Sequence, residues 1–142
     1  MPSPVTETFC QEWFRRVWNE LEGAAIDELM TPDSVIHGLG AEPLGGPTGF
    51  RTLYEAFTTS FKSIRIEVLH EIHEGDRVAA YCLAHVVTRA DERTLSFHGC
   101  TMMRLRGRQI AEAWNVWDFL TLVEGVGTVP KQTLQAALTA AV

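Results

Sequence analysis

The sequence has few of the features that place a protein on nucleic acid, in a membrane or in a secretory route. Its 142 residues include 12 Lys and Arg against 18 Asp and Glu, for a net charge of −6. With no basic cluster, this balance argues against nucleic-acid binding and against adhesion to an anionic membrane. No apolar run approaches the roughly 20 residues that span a bilayer. The opening MPSPVTETF lacks the basic and apolar regions of a signal peptide, so we expect a cytoplasmic protein.

Cysteine, metal and nucleotide motifs are also scarce. Cys10, Cys82 and Cys100 are widely spaced among apolar neighbours, which is typical of buried free thiols in a reducing compartment. His70 and His73 stand three residues apart on a predicted strand, so their side chains leave opposite faces and predict no metal site. Nucleophile-elbow, Walker and dinucleotide motifs are absent. Any chemistry is therefore expected to use carboxylate, imidazole and shape, with no cofactor.

Hydrophobic periodicity predicts one α+β domain over residues 1–142. Four consecutive long strands with short turns must pair antiparallel, and helices gathered before them are expected to cover one face of a curved sheet. Five glycines and two prolines predict a loop over residues 38–49. The predicted helices span 6–22, 24–30, 47–61 and 130–141, and the predicted strands span 34–39, 64–73, 77–89, 94–105 and 109–118.

Asp118 is the first candidate for chemistry. It ends a strand that carries two tryptophans, and no basic residue lies within nine positions on either side. A carboxylate in such a place is a candidate general base. The structural alternative is that Asp118 caps a helix beginning at Phe119, and the spacing alone favours this alternative.

The other candidates depend on which face of the sheet they occupy. Trp114 shares alternation with Asp118 and is favoured over Trp117 to face a pocket, with Asn115 on the opposite face. A two-residue turn at Gly107 sets Asp118 opposite Phe97, and His98 then faces away from it. A three-residue turn sets Asp118 opposite Ser96, and His98 is then diagonal to Asp118 on the same face. Lone histidines and strand tryptophans are more often structural than catalytic. The candidate catalytic residues are Asp118 and His98, and the candidate substrate-binding residues are Trp114, His37, Tyr54, Arg104 and Asn115.

The segment Gly107–Leu122, GRQIAEAWNVWDFLTL, resembles the closing signature of the SnoaL-like polyketide cyclases, which belong to the nuclear-transport-factor-two-like superfamily. Residues 14–37 resemble the family's opening helices and first strand, and residues 46–61 its third helix. The resemblance implies a cone of curved antiparallel sheet around an apolar pocket, a homodimer formed through the sheet and a hydrophobic small-molecule substrate. It also implies a cofactor-free aldol ring closure in which Asp118 is the acid–base residue and His98 holds the enolate oxygen.

Two further hypotheses belong to different functional classes. An epoxide-hydrolase-like enzyme needs Asp118, a second carboxylate and an arginine around a water, and Arg104 is the available arginine. A non-catalytic protein would use the same cone as a receptor for a small molecule. The segment Val123–Gly127 departs from the family's usual ending near the pocket rim, so the resemblance implies no particular substrate.

Overall fold

The structure is a computed structural model that describes residues 6–140. Helices flank a curved sheet in an α+β arrangement. The helices are α1 (Phe9–Trp13), which continues as a π-helical segment (Phe14–Asn19), α2 (Ala24–Leu29), α3 (Gly46–Ser60), α4 (Phe119–Val126) and α5 (Thr133–Ala140). The strands are β1 (Met30–His37), β2 (Leu44–Gly45), β3 (Phe61–Glu74), β4 (Arg77–Thr88), β5 (Thr94–Leu105) and β6 (Ile110–Trp117).

The six strands form one sheet in the order β2-β1-β6-β5-β4-β3. The strands β3 to β6 make the predicted antiparallel meander, in which each turn joins neighbouring strands. The strand β1 pairs in parallel with β6, the last strand along the chain. This long-range pairing adds β1 to the β6 side of the meander. It brings the end of β1 next to the residues of β6 that were predicted to carry function.

One face of the sheet packs against the helices, and we call it the inner face. Along β4 and β5 burial alternates residue by residue, as expected for strands with one covered face. The aromatic residues of α1, of the π-helical segment and of α3 cover the inner face, with Trp18 packed against Phe50, Tyr54 and Phe57. Burial of these large side chains supplies the main favourable contribution to folding.

Several predicted boundaries agree with the structure and others do not. Thr6 and Thr8 are both possible caps from the sequence, and the structure has Thr8 as the cap of α1, in a capping box with Gln11. The predicted loop over 38–49 contains the short strand β2, and the predicted strand 34–39 begins earlier, at Met30. Residues 1–5 of the opening segment, on which the signal-peptide expectation partly rests, lie outside the described residues. Residue 141, the last of the predicted terminal helix, also lies outside them. Within residues 6–140, no helix is both long and apolar enough to cross a membrane.

Candidate functional site

A bulge in β6 decides which of its side chains face the helices. Leu105 pairs with Ile110, but Arg104 pairs with Glu112, so Ala111 is an extra residue on β6. From there on the odd-numbered residues share the inner face, because Ala113 pairs with buried Met103 and Trp117 with buried Gly99. The prediction that Trp114 faces the pocket is therefore wrong.

The inner face and the helices enclose a cavity of about 70 Å³. Aromatic side chains from the helices and from strands β5 and β6 line this cavity. Small residues on the sheet, such as Ala84 and Ala113, leave space above it. None of the described residues that line the cavity carries an ionisable side chain. A cavity of this composition favours a neutral, largely apolar occupant.

Polar groups gather on the cavity wall formed by β5 and β6. Thr101 and Asn115 are directly paired in register, and both line the cavity. The Asn115 Nδ2 atom donates to the His37 carbonyl oxygen at 3.1 Å, and the Trp117 Nε1 atom donates to Asn115 Oδ1 at 3.2 Å. The Thr101 hydroxyl is buried and has no hydrogen-bond partner within residues 6–140. Of the predicted substrate-binding residues, Asn115 lines this cavity.

Asp118 lies at the rim, between two residues that line the cavity, Trp117 and Phe119. Its side chain is exposed and caps α4, with the Thr121 backbone N–H donating to Oδ1 at 3.1 Å. Asp118 is not part of the cavity lining. The structural alternative, a helix cap, is therefore confirmed, whereas the acid–base role is not tested by this geometry.

His98 lies opposite Asp118, which neither predicted turn anticipated. The Asp118 backbone N–H donates to the His98 carbonyl oxygen at 2.9 Å. The pairing of Leu105 with Ile110 agrees with the two-residue turn, but the bulge at Ala111 shifts the rest of β6 by one residue, so both predicted partners of Asp118 are wrong. The His98 ring is exposed on the outer face, where it stacks on Tyr81 at 5.4 Å between ring centroids.

Three more predicted residues lie on the outer face, away from the cavity. His37 stacks on Trp114 and its Nε2 atom lies 2.9 Å from Glu112 Oε2. Arg104 approaches the same carboxylate at 3.5 Å. The hydrogen bond from His37, aided by Arg104, holds the pKa of Glu112 below its usual value. This cluster engages Arg104 on the outer face, so the epoxide-hydrolase hypothesis lacks its arginine in the cavity.

Tyr54, Cys10 and Cys82 are buried, whereas Cys100 is exposed. Tyr54 is buried against Trp18 but does not line the cavity. Burial raises the pKa of Cys10 and of Cys82 to about 12, so both thiols are inert at neutral pH. Cys100 is exposed on the outer face, which corrects the expectation that all three are buried. No cluster of His, Cys, Asp and Glu within residues 6–140 is suited to hold a metal.

Two functional candidates, Thr101 and Trp117, were missed or ranked low from the sequence. Thr101 is an even number of residues from Phe97 and Met103, so it lies on the same inner face of β5. This spacing is the sequence signal that could have identified Thr101. Trp117 was ranked below Trp114 because Trp114 shares its alternation with Asp118, and neither Trp114 nor Asp118 lines the cavity. Ile110 and Ala111 are adjacent and both buried, which breaks the alternation of β6 at the bulge.

The comparison with known protein families decides the classification. The profile of the family described as SnoaL-like polyketide cyclase matches residues 8–125. The chain belongs to the SnoaL-like polyketide cyclase family. No curated protein matches the sequence at a significant level.

Solved structures share the fold of this SnoaL-like protein at low identity. AclR from Streptomyces galilaeus, a candidate hydroxylase, is 22% identical with a TM-score of 0.74, over 94% of this chain and 89% of AclR. IdmH from Streptomyces antibioticus, a candidate polyketide cyclase, is 22% identical with a TM-score of 0.70, over 80% of this chain and 93% of IdmH. A candidate polyketide cyclase from Acidithiobacillus ferrooxidans is 18% identical with a TM-score of 0.76, over 89% of this chain and 99% of that protein. At these identities the likeness concerns the fold, which hosts more than one activity.

Proposed function

We propose that this SnoaL-like protein binds a neutral, hydrophobic, carbonyl-bearing molecule in the inner cavity and acts on it in a cyclase-type reaction. The observation that carries the proposal is the cavity wall, which is apolar except at Thr101, Asn115 and the indole N–H groups of its tryptophans. Apolar burial supplies affinity, and a few polar groups fix the orientation of the ligand. Family membership supports the cyclase type of reaction.

Ring closure by aldol addition begins when a base removes a proton from the carbon beside a carbonyl group. Because none of the described lining residues is ionisable, water or hydroxide from the solvent takes that proton, and hydrogen-bond donors in the cavity stabilise the enolate oxygen that forms. This step is measurable without the native substrate, as exchange of α-hydrogen for deuterium in a small ketone dissolved in D₂O. We expect the protein to accelerate exchange in 1-indanone, a bicyclic aromatic ketone, above the rate in buffer of equal pH. Binding without any acceleration favours the receptor hypothesis, because it separates occupancy of the cavity from chemistry.

The variant Asp118→Asn tests the acid–base role directly. Asn is as good a helix N-cap as Asp, so we expect the free energy of unfolding to change by less than about 0.5 kcal/mol. Because the carboxylate is exposed, caps α4 and is not part of the cavity lining, we expect the exchange rate to stay within about threefold of wild type. The measurement is the exchange rate by proton NMR alongside urea denaturation. A loss of about a hundredfold or more with binding retained would establish Asp118 as the acid–base residue.

A homodimer formed through the outer face is the second part of the proposal. Large apolar side chains are exposed on that face, with Tyr81 at 42%, Met102 at 39% and Val116 at 77%. Burying them between two copies would remove apolar surface from water. Sedimentation velocity is expected to show a dimer, and Val116→Lys is expected to shift it towards monomer. A wild-type protein that sediments as a monomer at tens of micromolar would contradict this part.

A further inference from the structure

We propose that Thr101 and Asn115 together bind a hydrogen-bond-accepting oxygen of the ligand, and that Trp117 holds the Asn115 amide in the orientation this requires. The inference rests on the proposed binding in the cavity and specifies which ligand atom the polar wall selects. It assigns Thr101 and Asn115 as ligand-contacting residues and Trp117 as a positioning residue.

Thr101 supplies a hydroxyl that lacks a partner in the described part of the chain. Its side chain is 1% exposed, and its Oγ1 atom makes no hydrogen bond with the described residues. A buried hydroxyl without a partner costs free energy, and native proteins keep few of them. Because Thr101 lines the cavity, a ligand that occupies the cavity can satisfy the hydroxyl.

The orientation of the Asn115 amide follows from its two neighbours. The His37 carbonyl oxygen accepts a hydrogen bond from Nδ2, and the Trp117 indole N–H donates one to Oδ1. A flipped amide would set oxygen against oxygen at His37 and N–H against N–H at Trp117, so both neighbours select the same orientation. The amide nitrogen then retains one N–H that neither neighbour uses.

Gly99 makes the position of Trp117 possible. A Cβ atom at Gly99 would lie 2.0 Å from the Cε3 atom of the Trp117 ring, so the indole lies directly on the backbone of β5. Phe14 and Phe97 pack against the indole edge to face, with ring centroids at 6.2 and 6.1 Å. These contacts hold the indole N–H in place beside Asn115.

The polar wall therefore offers two donors to one ligand atom. Thr101 and Asn115 are directly opposite in register and share a face, which sets their Cβ atoms about 4.5–5.5 Å apart. A carbonyl oxygen has two lone pairs and can accept from the Thr101 O–H and the free Asn115 N–H together. Donors aimed at such an oxygen also stabilise the negative charge that develops there during enolisation.

The test compares two ligands that differ in one polar group, 1-indanone and indane, by calorimetric titration. Thr101→Val keeps the shape of the side chain and removes the hydroxyl. We expect this variant to bind 1-indanone about fivefold more weakly and to bind indane as wild type does. Thr101→Ser, which restores a hydroxyl, should recover most of the affinity for 1-indanone. Equal changes for both ligands, or no change for either, would overturn the inference.

Trp117→Phe tests the positioning role, because it keeps an aromatic ring over Gly99 and removes the N–H. We expect a smaller loss, about threefold, confined to 1-indanone. The side-chain amide of Asn115 provides a separate readout, since its two ¹H–¹⁵N signals should broaden or shift only in this variant and not in Thr101→Val. Unchanged amide signals would contradict the positioning role.

The outcomes separate this inference from the proposed function. If wild type binds both ligands and Thr101→Val leaves their ratio unchanged, the cavity binds ligands but the donor pair is refuted. If wild type binds neither ligand, the proposed function itself fails for compact aromatic ketones, and the donor pair falls with it.

Discussion

Gly38→Ala is expected to lower the free energy of unfolding by about 3 kcal/mol or more. Gly38 follows the last residue of β1 and has a φ of +89°, which a residue with a side chain adopts only with strain. An added Cβ atom would lie 1.9 Å from the Asn115 carbonyl oxygen. Because that neighbour is backbone in the interior of the sheet, it has no rotamer change available to relieve the clash.

Urea denaturation of Gly38→Ala and Gly40→Ala provides a matched comparison within one loop. A Cβ atom at Gly40 would meet no atom of residues 6–140 within 4 Å, so that variant should stay within about 0.5 kcal/mol of wild type. Equal stability of the two variants would contradict the close approach of β1 to β6. The same approach holds Asn115, so Gly38→Ala should also weaken binding of 1-indanone.

Ala84→Leu is expected to weaken binding of 1-indanone at least tenfold. Ala84 lies on β4, is 1% exposed and lines the cavity. Three added carbon atoms would project into a space of about 70 Å³ and displace the ligand. Overpacking at a buried position is also expected to cost stability, typically about 1–3 kcal/mol.

Ala79→Leu is the control for this substitution. Ala79 lies on the same strand but pairs with Met102 and Ile72, both exposed on the outer face. We expect this variant to bind 1-indanone with the wild-type affinity. Calorimetric titration of both variants checks the prediction, and wild-type affinity in Ala84→Leu would move the binding site out of the cavity.

The fold was predictable from local patterns to a large extent. The long apolar segments Arg77–Thr88 and Thr94–Leu105 predict strands, and the short turns between them leave only antiparallel pairing. The apolar stripe of α3 and the capping box at Thr8 likewise follow from neighbouring residues. The parallel pairing of β1 with β6 was not predictable from such patterns, because its partners are about eighty residues apart in the chain.

The candidate site was less predictable because it depends on one residue in β6. The bulge at Ala111 exchanges the faces of the rest of the strand, so Trp117 enters the cavity and Trp114 leaves it. Asn115 was a candidate from the sequence and does line the cavity, whereas His98 and Arg104 lie on the outer face. Thr101 was not recognised, because a threonine in an apolar alternation resembles any other buried strand residue.

The absence of ionisable groups among the described lining residues gives this SnoaL-like cavity its chemical character. A carboxylate at the rim, such as Asp118, is held by α4, and the polar groups inside are neutral donors and acceptors. Such a site can orient a ketone and polarise its oxygen.

The most direct test of the central claim is a ¹H–¹⁵N chemical-shift map of the protein titrated with 1-indanone. If the ligand binds in the cavity, the largest shifts are expected at Ala84, Thr101, Ala113 and the Trp117 indole, with little change at Tyr81, His98 and Trp114 on the outer face. Large shifts confined to the outer face would contradict the account, because they would place the ligand on the exposed side of the sheet.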